Sequence, residues 1–231
     1  MPRSRLIEGR IAYRVSESGR TREFGRELFS ISVQSSGHRT MRAVCEFDDE
    51  GITRDVTYTV NAEFRPMDCY VRVALADRVV GAGWFLFGDD FAEGEAMTAA
   101  EGRIRQRIAV PERVTAFGSH PICSDIWRLA HLKRIGVGQP QRLSNCMNSS
   151  PLSHGESGPM LFRREYTYLY RGAERVNVGA GQFDCHRFDW PVRAGKTLCM
   201  WTCGDDLLPV RMAFPEGGKT YELETLSIRE G

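Results

Sequence analysis

The stretch Thr40-Met41-Arg42-Ala43-Val44-Cys45-Glu46-Phe47, continued through Asp48-Asp49-Glu50-Gly51 into Asp55-Val56-Thr57-Tyr58-Thr59-Val60-Asn61-Ala62, decides the fold class. Met41, Ala43, Cys45 and Phe47 share one side, and Thr40, Arg42, Val44 and Glu46 share the other. This is the two-residue period of a half-buried strand. After the acidic turn, Val56, Tyr58, Val60 and Ala62 repeat the pattern, so the two runs predict an antiparallel hairpin with one apolar face.

Working outward, Cys69, Val71, Val73 and Leu75 alternate with Tyr70, Arg72 and Ala74. Residues 79–87 are apolar on both faces, which predicts a central strand covered on both sides. Upstream, residues 7–15 and 27–33 are strand-like, the second placing Phe29, Ile31 and Val33 on one face. Downstream, strands are expected at 161–170, 176–188, 197–202, 209–214 and 220–228, separated by glycine- and proline-bearing turns. About eleven short strands predict a mainly β chain, an antiparallel barrel or curved sandwich whose sheet closes or is covered. No repeat or linker divides it, so residues 1–231 are expected to form one domain.

One segment departs from this pattern. Ser124-Asp125 can cap a helix over about residues 124–135, with Ile126, Leu129, Ala130 and Leu132 at helical spacing and Gly136 as its stop. Residues 136–159 then lack periodicity and read as a long loop, either a lid or a surface excursion.

The composition excludes several function classes. Thirty-one basic residues against 30 acidic ones give a net charge of +1, so bulk charge supports neither nucleic-acid nor membrane binding. Arg103, Arg105 and Arg107 form the densest basic stripe, but no aromatic residues interleave with it as single-stranded nucleic acid would require. Seven scattered cysteines do not make the paired framework of a small secreted domain, so reduced thiols are expected. With no apolar stretch behind the basic N-terminus and no long apolar window, the chain reads as soluble and cytoplasmic.

Motif chemistry narrows the field further. Cys199 and Cys203, four apart on one strand, lie about 13 Å from each other, too far to share a zinc ion. No metal is expected. There is no phosphate-binding glycine loop, and Gly81-Ala82-Gly83 opens a strand, not a helix, so the chemistry is expected to be cofactor-free. His154-Gly155-Glu156-Ser157-Gly158-Pro159 looks like a serine-protease nucleophile segment but lacks its second glycine and the supporting histidine segment.

The candidate catalytic group is His120, in Phe117-Gly118-Ser119-His120-Pro121, with Asp125 one turn later to orient it. Tyr70 and Arg72 share a strand face and could stabilise developing negative charge. Asp184, His186, Phe188 and Trp190 alternate onto one face. Together with Trp84, Trp127 and Trp201, the His186–Trp190 pair could line an apolar pocket.

The segments from Gly181-Gln182-Phe183 to Trp201, then Asp205-Asp206-Leu207-Leu208-Pro209-Val210-Arg211 and Thr220-Tyr221-Glu222-Leu223, resemble the closing strands of an uncharacterised bacterial β-barrel family similar to calycins and lipocalins. The resemblance covers the C-terminal third. The lipocalin Gly-x-Trp mark is absent from the first strand, and Gly81-Ala82-Gly83-Trp84 stands mid-chain. The resemblance implies the barrel fold and no active site.

Two functions follow as expectations. The first is a cofactor-independent lyase, isomerase or hydratase of a small apolar or aromatic compound, with His120 as general acid or base, Asp125 orienting it, and Tyr70 or Arg72 stabilising charge. The second is a carrier in which the same residues only hold a small hydrophobic or aromatic ligand. A structural subunit of a homo-oligomer is a third reading, marked by an exposed sheet face.

Overall fold

The computed structural model describes residues 4–152, 157–192 and 195–231. Fifteen strands among them belong to one sheet. The N-terminal half is a meander of β1 (Arg5–Glu17), β2 (Arg20–Val33), β3 (Arg39–Phe47), β4 (Ile52–Val60), β5 (Pro66–Leu75), β6 (Arg78–Phe87), β7 (Phe91–Thr98) and β8 (Gly102–Ala109). The C-terminal half comprises β9 (Ala116–Gly118), β10 (Pro140–Asn148), β11 (Phe162–Val178), β12 (Gly181–Pro191), β13 (Thr197–Cys203), β14 (Leu208–Phe214) and β15 (Lys219–Glu230). β15 pairs with β1, so the chain's first and last strands meet mid-sheet while β8 and β9 are its edges. Every pair is antiparallel except β9 with β10.

The decisive hairpin forms with Met41 opposite Tyr58 and Phe47 opposite Ile52. β3 and β4 alternate buried residues with half-buried or, at Arg42, exposed ones along their whole length, because one face lines the interior and the other meets water. Close strand crossing adds curvature. At Gly25 a Cβ would stand 2.2 Å from the Glu46 carbonyl oxygen, so only glycine lets β3 approach β2 there.

The sheet does not close by backbone pairing. Its seam is bridged by a side chain: the Leu161 N–H donates to Gln106 Oε1 at 2.7 Å, and Gln106 Nε2 donates to the Leu161 carbonyl at 3.1 Å. A primary amide offers the same donor and acceptor as a peptide unit, so Gln106 stands in for a strand residue. Arg163 adds a bond to the Ala109 carbonyl at 2.8 Å. At another point Asp206 accepts from Arg39 at 3.0 Å and Arg5 at 2.6 Å, tying the β13–β14 turn to the N-terminal strands.

Three expectations need correction. Residues 79–87 are not covered on both sides: Val79 and Trp84 are about half exposed, and only the inner face is buried. The helix is shorter and starts earlier. A four-residue α-helix, α1 (Ile122–Asp125), passes into a 3₁₀ turn at Ile126–His131, and Pro121, not Ser124, occupies the cap position. Ile126, Leu129 and Leu132 are all buried, and this spacing of three suits a three-residue turn. The loop expected at 136–159 contains β10, whose alternation is broken by a bulge between Leu143 and Cys146 where Asn145 adopts φ 53°. That extra residue shifts the phase of the pattern and hides the strand.

Gln106→Ala leaves the buried Leu161 peptide without its partners. It is expected to lower unfolding free energy by about 1–3 kcal/mol in chemical denaturation; an unchanged midpoint would show that the seam is held elsewhere.

Candidate functional site

The site begins with a carboxyl on the wrong side of a strand. Glu27 falls in phase with Phe29, Ile31 and Val33, so the geometry of β2 forces it inward, where it is fully buried. Four donors meet it there. The Ile122 and Cys123 N–H groups donate at 2.7 and 3.0 Å, the Tyr13 hydroxyl at 2.9 Å, and the Cys45 thiol at 3.7 Å. Glu27 thus caps α1 from 95 residues away in sequence, the role no side chain of the helix itself performs.

A buried arginine reinforces the same loop. Arg54, in phase with Val56 and Tyr58 on β4, donates to the Ser119 carbonyl at 3.0 Å. Ser119 and Ser124 join hydroxyls at 2.7 Å beneath it. Between these anchors His120 is held at φ 79°, a left-handed conformation that costs a non-glycine residue of order 1–3 kcal/mol.

Of these groups, Tyr13, Cys45, Arg54, His120 and Ile122 line a cavity of about 690 Å³, within the range of small-molecule sites. Its buried end presents Arg54, His120, Asp125, Arg128 and Asn148. Its walls are Tyr13, Phe47, Trp190, Leu198, Met212, Phe214 and Tyr221, and exposed Leu152 and Glu165 lie toward solvent. The interior is therefore apolar with a charged floor.

The floor has its own wiring. Asp125 pairs with Arg128 at 3.0 Å, and Arg128 donates to the Tyr166 hydroxyl at 3.1 Å, which in turn donates to Asn148. The Arg128 guanidinium also lies 4.6 Å from the centre of the Tyr166 ring. Burial, the largest single influence, pulls the Arg128 guanidinium toward its neutral form, but Asp125 together with Tyr166, Tyr168 and Cys146 outweighs it, and the group stays well above its ordinary value. Burial pushes Glu27 upward against its donors and pulls Arg54 downward.

The structure brings His120, Asp125 and Trp190 to one cavity and leaves the other candidates elsewhere. Tyr70 and Arg72 lie on the outer face, Tyr70 bordering a shallow depression with Leu28 and Leu226, and Arg72 3.5 Å from Asp55. They cannot stabilise charge on a guest inside the barrel, because inward and outward side chains of one strand are separated by the sheet. Trp84 is an exposed neighbour of Tyr70 across the β5–β6 pair. Trp127 is core, packed 5.8 Å from Tyr58 and 5.9 Å from Phe64. Trp201 is on the outer face, 5.0 Å from the Arg187 guanidinium. His186 bonds the Tyr170 hydroxyl at 2.8 Å, away from the cavity lining. Asp184 is exposed and paired with Arg175.

Asp125 directs one carboxylate oxygen to Arg128. Arg103, Arg105 and Arg107 are surface ion-pair partners of Glu93 and Glu95 on β7. Ser157 bonds Ser150 at 2.8 Å, while residues 154–156 of the protease-like segment lie outside the described residues. Among the described residues no group of three or more His, Cys, Asp or Glu could hold a metal ion, and no helix is long and apolar enough to cross a membrane.

No protein-family model matches the chain, and no curated protein is similar to it in sequence. The fold does have relatives. The chain is similar to a β-barrel-like protein of the domain of unknown function DUF1849 from Brucella abortus, with 11% identity, a TM-score of 0.55, and coverage of 99% of this chain and 98% of that one. A DUF1089 family protein from Pseudomonas aeruginosa matches at 10% identity over 79% of this chain and 86% of its own, with a TM-score of 0.42. The fold is thus β-barrel-like, and the likeness runs over the whole chain, beyond the C-terminal third.

Glu27 gives the site a pH signature. Its folded value lies above the ordinary 4.5, so the folded state keeps the proton over a range where the unfolded chain has released it. The stability this group contributes is then complete below about pH 4.5 and declines as pH rises through the folded value. The difference in unfolding free energy between wild type and Glu27→Ala, measured by denaturation at several pH values, is expected to shrink as pH rises. A difference that grows with pH would identify the carboxylate as the stabilising form.

Proposed function

We propose that the protein binds a small amphipathic molecule inside its barrel, in the manner of a calycin-like carrier, with the guest's apolar or aromatic body against the cavity walls and its polar end on the charged floor. The observation behind this reading is the cavity of about 690 Å³ that joins Tyr13, Phe47, Leu198, Met212 and Phe214 to Arg54, His120, Asp125 and Arg128. A hollow of this kind buries most of a small ligand's surface and orients it with a few polar groups. Seven scattered cysteines that make no paired framework favour a reducing, cytoplasmic setting, which we assign.

One observation favours a second reading, the cofactor-free lyase, isomerase or hydratase. His120 is held in a strained left-handed backbone at the cavity wall, and such strain concentrates at functional positions. Against it, Tyr70 and Arg72 are outside the cavity, so Arg54 or Arg128 would have to stabilise charge in their place. The carrier reading needs no such replacement.

Binding of an anilinonaphthalene sulfonate fluorophore separates inside from outside. Leu198→Trp fills the cavity and is expected to raise Kd at least tenfold, about 1.4 kcal/mol, whereas Tyr70→Ala on the outer face leaves it unchanged. Equal affinity in Leu198→Trp and wild type would overturn the reading. Once a natural guest is identified from native mass spectrometry, His120→Ala that retains binding but loses turnover marks the enzyme, and parallel loss marks the carrier.

A further inference from the structure

The outer face of the C-terminal strands carries a second small core that the cavity does not use. Val176, Cys185, Cys199, Trp201 and Val210 pack together there, with Cys203 at the margin. The β12–β13 ladder ends with His186 opposite Thr202. One step further along the same antiparallel register places Cys185 opposite Cys203, which packs against the same patch.

Directly opposed residues of an antiparallel pair have Cα atoms about 4.5–5.5 Å apart, inside the roughly 4.4–6.8 Å window that a disulfide spans. Cys199 is excluded from pairing with Cys203 by about 13 Å of strand. The four cysteines at 45, 69, 123 and 146 belong to the main interior core, separate from this patch.

We infer that Cys185 and Cys203 are a redox-active thiol pair that closes into an intramolecular disulfide on exposure to a low-molecular-weight disulfide such as oxidised glutathione. Cys203, the more accessible of the two, attacks one sulfur of glutathione disulfide and releases one glutathione thiolate. Cys185 then attacks the Cys203 sulfur of the mixed disulfide and releases the second glutathione. Two protein thiols lose two electrons and two protons, and one glutathione disulfide becomes two glutathiones. The electrostatics favour this order. A hydrogen bond from Cys185 holds Cys203 below the usual thiol range, and the same bond, with burial, raises Cys185.

The inference is independent of what the cavity holds, since it concerns the opposite face of the sheet. The test is differential alkylation and peptide mapping of the folded full chain before and after incubation with oxidised glutathione. The expected result is a Cys185–Cys203 crosslink with loss of two hydrogen masses, reversal by dithiothreitol, persistence in Cys199→Ser and absence in Cys203→Ser. Complete alkylation of Cys185 and Cys203 after oxidation would overturn the inference, as would a crosslink that joins either to another cysteine. Mapping the wild-type protein decides the matter even if a substitution prevents folding.

Discussion

A single buried carboxyl organises the interior. Glu27 reaches from β2 to the first two backbone N–H groups of α1 while accepting from Tyr13 and Cys45. Each hydrogen bond contributes about 0.5–1.5 kcal/mol net, and leaving such a buried group unpaired costs about 1–3 kcal/mol. The loop from Ser119 to Cys123 therefore has little freedom. It must sit where Glu27 and Arg54 hold it, and its position fixes the backbone of His120 and the start of the segment bearing Asp125 and Arg128.

This arrangement also accounts for a hollow inside an otherwise packed barrel. A helix seated by apolar contacts alone would settle against the nearest wall and fill the space. Here the polar bonds hold α1 at one end of the interior, and Ile122 of that helix shares the cavity lining with Phe47, Leu198, Met212 and Phe214. The sheet divides chemistry by side. Inward residues build the charged floor and apolar walls, while outward ones hold ion pairs, the Tyr70–Trp84 surface and the thiol patch around Trp201.

Much of the architecture was legible because the two-residue period survives wherever one face meets water. β3, β4 and β5 follow that rule closely, and the Met41–Phe47 hairpin alone indicates the antiparallel sheet. The pattern fails at β10, where Asn145 inserts a residue, and at β6, where Val79 and Trp84 are apolar yet exposed. The site was half legible. His120 and Asp125 announced themselves by residue type near a turn, but Tyr70 and Arg72 were grouped with them through chemistry alone, and parity already placed those two outside. The strongest signal was missed. Glu27 and Arg54 are charged residues in the inward phase of apolar strands, which alternation exposes directly, and a charge in that position must find buried partners. What no local pattern reveals is that those partners lie on the Ser119–Cys123 loop, a contact set by topology across the barrel.

The most direct test of this organisation is hydrogen exchange at the Ile122 and Cys123 amides, compared between the wild-type protein and Glu27→Ala. If Glu27 anchors the floor, both amides in the wild type exchange as slowly as those of the central strands despite lying at a loop-to-helix junction, and both lose that protection selectively in the variant. Fast exchange in the wild type, or protection that survives removal of the carboxyl, would contradict the account.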